Sequence, residues 1–166
     1  MHRIIKAIML ILTLLPGMIR QSCYNMPLNA RKCLPDAAKC FICEITLNEL
    51  ELFSAVVEAE SDRGEDMASY EGRVLIALTV LNRVNSSQWP DSIEGVIKQQ
   101  NQYEAYYNGS YLSAGRSQLA DAAIIEACQM LEDGSAPNVI YFNCIGYNYL
   151  GVPYCYKGGN YFELGA

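Results

Sequence analysis

The sequence predicts an α+β domain, mostly helical, that ends in a small antiparallel sheet. Two observations predict this. Apolar residues recur at helical spacing in three stretches between Thr46 and Leu131. After Val139, β-forming residues concentrate in Val139–Cys144 and Tyr154–Tyr156, and Gly158-Gly159-Asn160 reads as a turn. With 166 residues, 51% of them hydrophobic, the chain is large enough for one domain with its own core. A formal charge of -6, with no Lys/Arg run beyond the first residues, offers nothing to a phosphate backbone, so nucleic acid is not an expected partner.

The elements follow in chain order. His2, Arg3 and Lys6 precede an apolar stretch, Ala7–Ile19, broken only by Thr13, Pro16 and Gly17, which is the pattern of an export signal. As a helix it would rise only about 20 Å against a hydrocarbon core of roughly 30 Å. Residues 1–22 are therefore read as a signal peptide or signal anchor, giving an exported protein with membrane attachment through this segment as one outcome. No small-x-small cleavage triplet is evident, and a buried core helix is the alternative.

Residues 23–45 read as a Cys-rich linker. It holds Cys23, Cys33, Cys40 and Cys43, four of seven cysteines. A structural zinc site usually shows two close-spaced pairs, and here only Cys40-x-x-Cys43 is close. Disulfides or free thiols are thus expected ahead of zinc, and no metal or cofactor is assigned. The odd count leaves at least one cysteine unpaired. The only histidine is His2, so no Cys/His nucleophile pair is expected.

The domain, residues 46–166, opens with Thr46-Leu47-Asn48-Glu49, a capping box. The helix should run to about Glu60. Steps of 100° put Leu50, Phe53, Val56, Val57 and Glu60 on one face, with Glu51 and Glu58 opposite. Glu60 is thus an acid extending an apolar stripe at a helix C-terminus, where burial and the dipole both disfavour its charge. A carboxylic acid kept protonated near neutral pH is what a general acid for glycoside cleavage requires. A frayed helix end with Glu60 in solvent is the other reading.

A second helix, Ser69 to Val84, repeats Val74, Ala77, Leu78, Leu81 and Val84 as a buried stripe. The polar loop Ser61–Asp66 between the two helices would border any cleft faced by Glu60, or simply be solvated. Ser117–Leu131 reads as a third helix, burying Ala120, Ile124, Ala127 and Leu131 and ending before Gly134 as its C-cap. The stretch Gln99–Asn108 is dense in Tyr and amide side chains, which can stack on or hydrogen-bond sugars, or belong to a polar loop with Tyr packed on the core.

Several of these residues together carry a resemblance. Ala59-Glu60, Gly64-Glu65, Tyr70-Glu71-Gly72 and Val80-Leu81-Asn82-Arg83-Val84 resemble, in content and order, the signature of the SleB-type spore-cortex and cell-wall hydrolases. Trp89-Pro90-Asp91-Ser92-Ile93, Gly95-Val96-Ile97, Gln102-Tyr103, Tyr141-Phe142-Asn143 and Gly159-Asn160-Tyr161-Phe162 extend it over about Leu50–Phe162. The resemblance implies a lysozyme-like helical fold and cleavage of peptidoglycan between N-acetylmuramic acid and N-acetylglucosamine, with Glu60 catalytic. It implies the route of a lytic transglycosylase, in which one carboxyl acts as acid and then base.

Glu71, Gln102, Tyr103 and Asn160 are the expected substrate contacts. Hydrolysis by water would need a partner carboxylate, for which Glu65 and Glu71 are the candidates. The chain departs from the family in a longer loop after Glu60, which loosens the transfer of roles to Glu65 and Glu71, and in Tyr161, where a His is common. A non-catalytic peptidoglycan-binding module and a membrane-held Cys-rich interaction protein are the other classes considered.

Overall fold

Each predicted helix forms, and each begins at a side-chain cap. The computed structural model describes residues 45–61 and 69–165. The expected signal segment, the Cys-rich linker up to Glu44 and most of the polar loop after Glu60 lie outside these residues. Among the described residues no helix is long and apolar enough to cross a membrane.

Helix α1, Leu47–Ser61, starts at the full capping box. The Thr46 amide donates to Glu49 Oε2 at 3.0 Å and the Glu49 amide donates to Thr46 Oγ1 at 3.3 Å. Helix α2, Tyr70–Val84, is capped by Ser69 Oγ, which accepts from the Gly72 amide. Every residue from Gly72 to Arg83 is buried, so α2 is the central helix rather than one with a single apolar stripe.

Three short helices follow: α3, Ile93–Ile97; α4, Glu104–Tyr107; and α5, Ser110–Ala114. Helix α6, Gln118–Asp133, is capped by Ser117 and stops at Gly134, whose φ of 76° suits glycine. Phe53, Val56, Ile76, Leu78, Leu81 and Ile124 pack in one core. Burying each contributes roughly 1.5–3 kcal/mol by area.

One helical-face expectation fails. Glu51 is exposed as placed, but Glu58 turns inward. Its carboxylate accepts from Arg73 Nε at 3.0 Å and Nη2 at 2.6 Å, and from Ser117 Oγ at 2.5 Å. Helix α1 is covered on more than one face, since α2 and α6 both pack on it, and the acid sits at that junction. The Arg73 hydrogen bonds hold the Glu58 carboxyl below its ordinary value of 4.5 against the opposing effect of burial.

The C-terminal sheet has three antiparallel strands: β1, Val139–Asn143; β2, Val152–Lys157; and β3, Asn160–Leu164. Their order is β1-β3-β2, so the last strand is the central one. The expected turn occurs at Gly158 and Gly159, with φ of 55° and 78°. It lies backbone to backbone on the first turn of α2. A Cβ on Gly72 would sit 2.9 Å from Gly158 Cα. That close approach gives Tyr70-Glu71-Gly72 and Gly158-Gly159-Asn160 a common physical reason, and it brings β3 to the end of α1.

Candidate active site

Glu60 is buried, at 3% exposure, in the last turn of α1. The frayed-end reading is therefore excluded. Its Oε1 accepts the Ala105 amide at 2.7 Å. Ala105 lies in the first turn of α4, and the N-cap residue of α4, Tyr103, makes no side-chain cap. Glu60 fills that place from another helix, satisfying an amide that would otherwise be orphaned. From the other side, Asn160 Nδ2 donates to the Glu60 carbonyl at 3.1 Å and to the Gly158 carbonyl at 3.4 Å. The acid is thus held through both its carboxyl and its backbone.

Asn160 is itself buried, at 1% exposure. Its amide, expected from the sequence to contact substrate, donates to the backbone of α1 and of the β2–β3 turn.

Tyr103, the other expected sugar contact near the acid, is fully buried and packs 5.8 Å from Phe142, centroid to centroid. Its hydroxyl has no hydrogen-bond partner among the described residues. Burial pushes its pKa up to about 12, against the opposing effect of the Arg83 guanidinium.

Glu71 is at the surface in the first turn of α2, paired with Lys157 Nζ at 2.6 Å. Gln102 is half-buried just before α4. The residues brought together around the acid are thus Glu60, Tyr103 and Asn160, two of them in supporting places.

Arg83, within the Val80–Val84 motif, has no role assigned by the sequence. It is buried, its Nε donates to the Ile140 carbonyl at 2.8 Å, and its guanidinium lies 4.2 Å over Trp89 and 5.5 Å over Tyr103. Neighbouring Asn82 Nδ2 donates to the carbonyls of Pro137 at 3.0 Å and Val139 at 2.9 Å. Asn82 and Arg83 therefore fasten β1 to α2. The signal for this was a polar pair interrupting the apolar run of a central helix.

Glu163 was missed altogether. It is 1% exposed, and its carboxylate accepts the amides of Asn148, Tyr149 (3.1 Å) and Gly151 (2.9 Å). Among the described residues no cluster of three or more His, Cys, Asp or Glu side chains is arranged to hold a metal.

Residues 67–148 match the family model described as Cell Wall Hydrolase, a match that begins beyond Glu60. Among curated proteins, the chain is 33% identical over 96 residues to a spore cortex-lytic enzyme of Oceanobacillus iheyensis, covering 58% of this chain and 33% of that protein. To the spore cortex-lytic enzyme of Bacillus subtilis it is 35% identical over 97 residues, covering 58% and 30%. The chain thus spans about a third of the length of these relatives.

Two solved structures are similar in fold. One is the catalytic domain of the germination-specific lytic transglycosylase SleB from Bacillus anthracis, with TM-score 0.56 and 20% identity, covering 78% of this chain and 98% of that one. The other is the catalytic domain of the Bacillus cereus SleB protein, with TM-score 0.56 and 22% identity, covering 70% and 90%. Residues 67–148 thus match the Cell Wall Hydrolase family model, and the helical fold with its three-stranded sheet is similar to that of the SleB catalytic domains.

Proposed function

We propose that this domain cleaves the glycan strands of peptidoglycan between N-acetylmuramic acid and N-acetylglucosamine, as a lytic transglycosylase with Glu60 as its single acid and base. The observation that carries the proposal is a buried Glu60 at the end of α1 held through its carboxyl by the Ala105 amide and through its backbone carbonyl by Asn160. The named activities of the relatives support it.

The proposed chemistry uses this one carboxyl. The Glu60 carboxyl, whose Oε1 accepts the Ala105 amide, protonates the glycosidic oxygen as the bond to the muramyl anomeric carbon breaks. The resulting carboxylate, still held at Oε1, takes the proton of the muramyl 6-hydroxyl, whose oxygen closes on the anomeric carbon. The products are a 1,6-anhydromuramyl end and a free 4-hydroxyl on N-acetylglucosamine, and Glu60 is again protonated. No partner carboxylate is needed, consistent with Glu71 being engaged by Lys157 at the surface.

With the N-terminal segment read as an export signal or anchor, the site of action is the cell envelope or its exterior. A second reading, a peptidoglycan-binding module without cleavage, is favoured by one observation: Glu60 has a structural use as the cap of α4.

The test is mass spectrometry of peptidoglycan digested with the full chain beside its Glu60→Gln variant. Gln keeps an acceptor for Ala105 but carries no acidic proton. Anhydromuramyl products from the parent alone are expected. Reducing-end products would instead mean hydrolysis with a second carboxylate, and binding without cleavage would establish the module.

A further inference from the structure

The outer side of the sheet carries tyrosines that the proposed reaction does not use. Tyr156 and Tyr161 are opposite each other across β2 and β3, with ring centroids 4.6 Å apart. Tyr147 continues the row at 5.1 Å from Tyr161, and Tyr149 at 6.5 Å from Tyr147. Tyr149 and Tyr156 are 77% and 41% exposed.

Two features show that this row is built rather than incidental. Tyr149 has a φ of 57°, a left-handed conformation that is costly for a residue with a bulky side chain. That conformation is held in place from beneath: the buried Glu163 carboxylate accepts the Tyr149 amide together with those of Asn148 and Gly151. A charge is thus taken out of water to fix the loop on which an exposed ring stands.

Rigid, hydroxyl-edged rings suit the apolar faces of uncharged sugar rings better than they suit an ionic partner. The row is also continuous in the chain with the proposed reaction centre. Tyr161 follows Asn160, whose amide holds the Glu60 carbonyl from the opposite side of β3.

We infer that Tyr147, Tyr149, Tyr156 and Tyr161 form a carbohydrate-stacking platform that holds a further stretch of the same glycan strand away from the cleaved bond. The inference rests on the proposed function for the identity of the sugar polymer. A second contact on one polymer raises the effective concentration of the first, so the platform contributes on long strands and not on short fragments.

The experiment compares the full chain with Tyr149→Ala/Tyr156→Ala, both in a Glu60→Gln background that blocks cleavage, by co-sedimentation with insoluble peptidoglycan. The double variant is expected to bind about tenfold more weakly, the loss that two aromatic contacts give. Tyr149→Phe/Tyr156→Phe, which keeps the rings, is expected to bind like the parent, and matching melting curves show that the fold is kept.

With Glu60 intact, the Ala double variant is expected to cleave short soluble glycan fragments at the parent rate. Unchanged co-sedimentation would overturn the platform. So would a concentration-dependent dimer of the parent that the Ala variant abolishes, which would assign the rings to a second copy of the chain. If the parent cleaves nothing yet the Ala variant still loses binding, the catalytic reading fails and the platform stands.

Discussion

Two buried carboxylates sit at opposite extremes of use. Glu163, on the central strand, accepts three backbone amides from the loop between β1 and β2. Glu60, at the end of α1, accepts the amide of Ala105 on Oε1. Their exposures are alike, 1% and 3%, so burial alone does not separate an acid that holds structure from the one proposed for chemistry. The difference lies in what they hold. Glu163 gathers three backbone amides of one loop, whereas Glu60 joins the end of one helix to the start of another.

The strongest way to break this comparison is at Gly151. A Cβ there would meet the Leu164 carbonyl oxygen at 2.0 Å, and the Gly151 amide is one of the three that Glu163 accepts. Neither backbone group can swing aside as a side chain would. Gly151→Ala is expected to cost more than about 3 kcal/mol, measured by urea unfolding. A loss under about 1 kcal/mol would mean that the loop is not pinned as described.

Next comes the direct exchange of the two acids for their amides. Glu163→Gln loses one charged acceptor and turns an N–H group toward backbone donors, so a cost of about 2–3 kcal/mol is expected. Glu60→Gln retains an acceptor for Ala105 and should cost about 1 kcal/mol or less while abolishing glycan cleavage. Equal stability losses in the two variants would remove the distinction drawn between them.

A third carboxylate sharpens the comparison through pH. Glu58 is held below 4.5 chiefly by the Arg73 hydrogen bonds, so its contribution is present above 4.5 and is lost as pH falls through the lowered folded value. Glu58→Gln should therefore destabilise the protein by about 2 kcal/mol at neutral pH, with parent and variant converging in acid. Parallel curves for thermal unfolding between pH 7 and pH 3 would contradict the assignment.

The legibility of these acids differed for physical reasons. Glu60 was readable because it continues the stripe of Phe53, Val56 and Val57 along α1, and helix starts were readable from Thr46, Ser69 and Ser117. Glu58 was misplaced because a helical wheel locates one apolar face and cannot show that α2 and α6 both cover α1. Glu163 gave no signal, since an alternating strand permits an acid on its outer face and nothing local reveals that a loop folds over it. Asn160 and Tyr103 were singled out by the resemblance, but their burial was not legible. Their burial depends on Gly158 resting on Gly72 and on α4 starting at Glu60, contacts between residues far apart in sequence.

The smallest expected effect concerns Tyr103, whose hydroxyl is buried with no partner among the described residues. Arg83 Nη1 is also unpartnered there, with its guanidinium 5.5 Å over the Tyr103 ring. An unmet buried hydroxyl costs stability, and replacing it with a ring edge of the same shape removes that cost. Tyr103→Phe is therefore expected to leave stability unchanged or raise it by up to about 1 kcal/mol, read as a small rise in melting temperature. The ring would still pack against Phe142, and α4 would still present the Ala105 amide to Glu60. Cleavage should then persist, because Tyr103 would act through the backbone it leads into. A loss of stability would instead show that the hydroxyl is hydrogen-bonded in solution, through a buried water bridging it to Arg83 or Glu60, and would place Tyr103 among the groups that hold the acid.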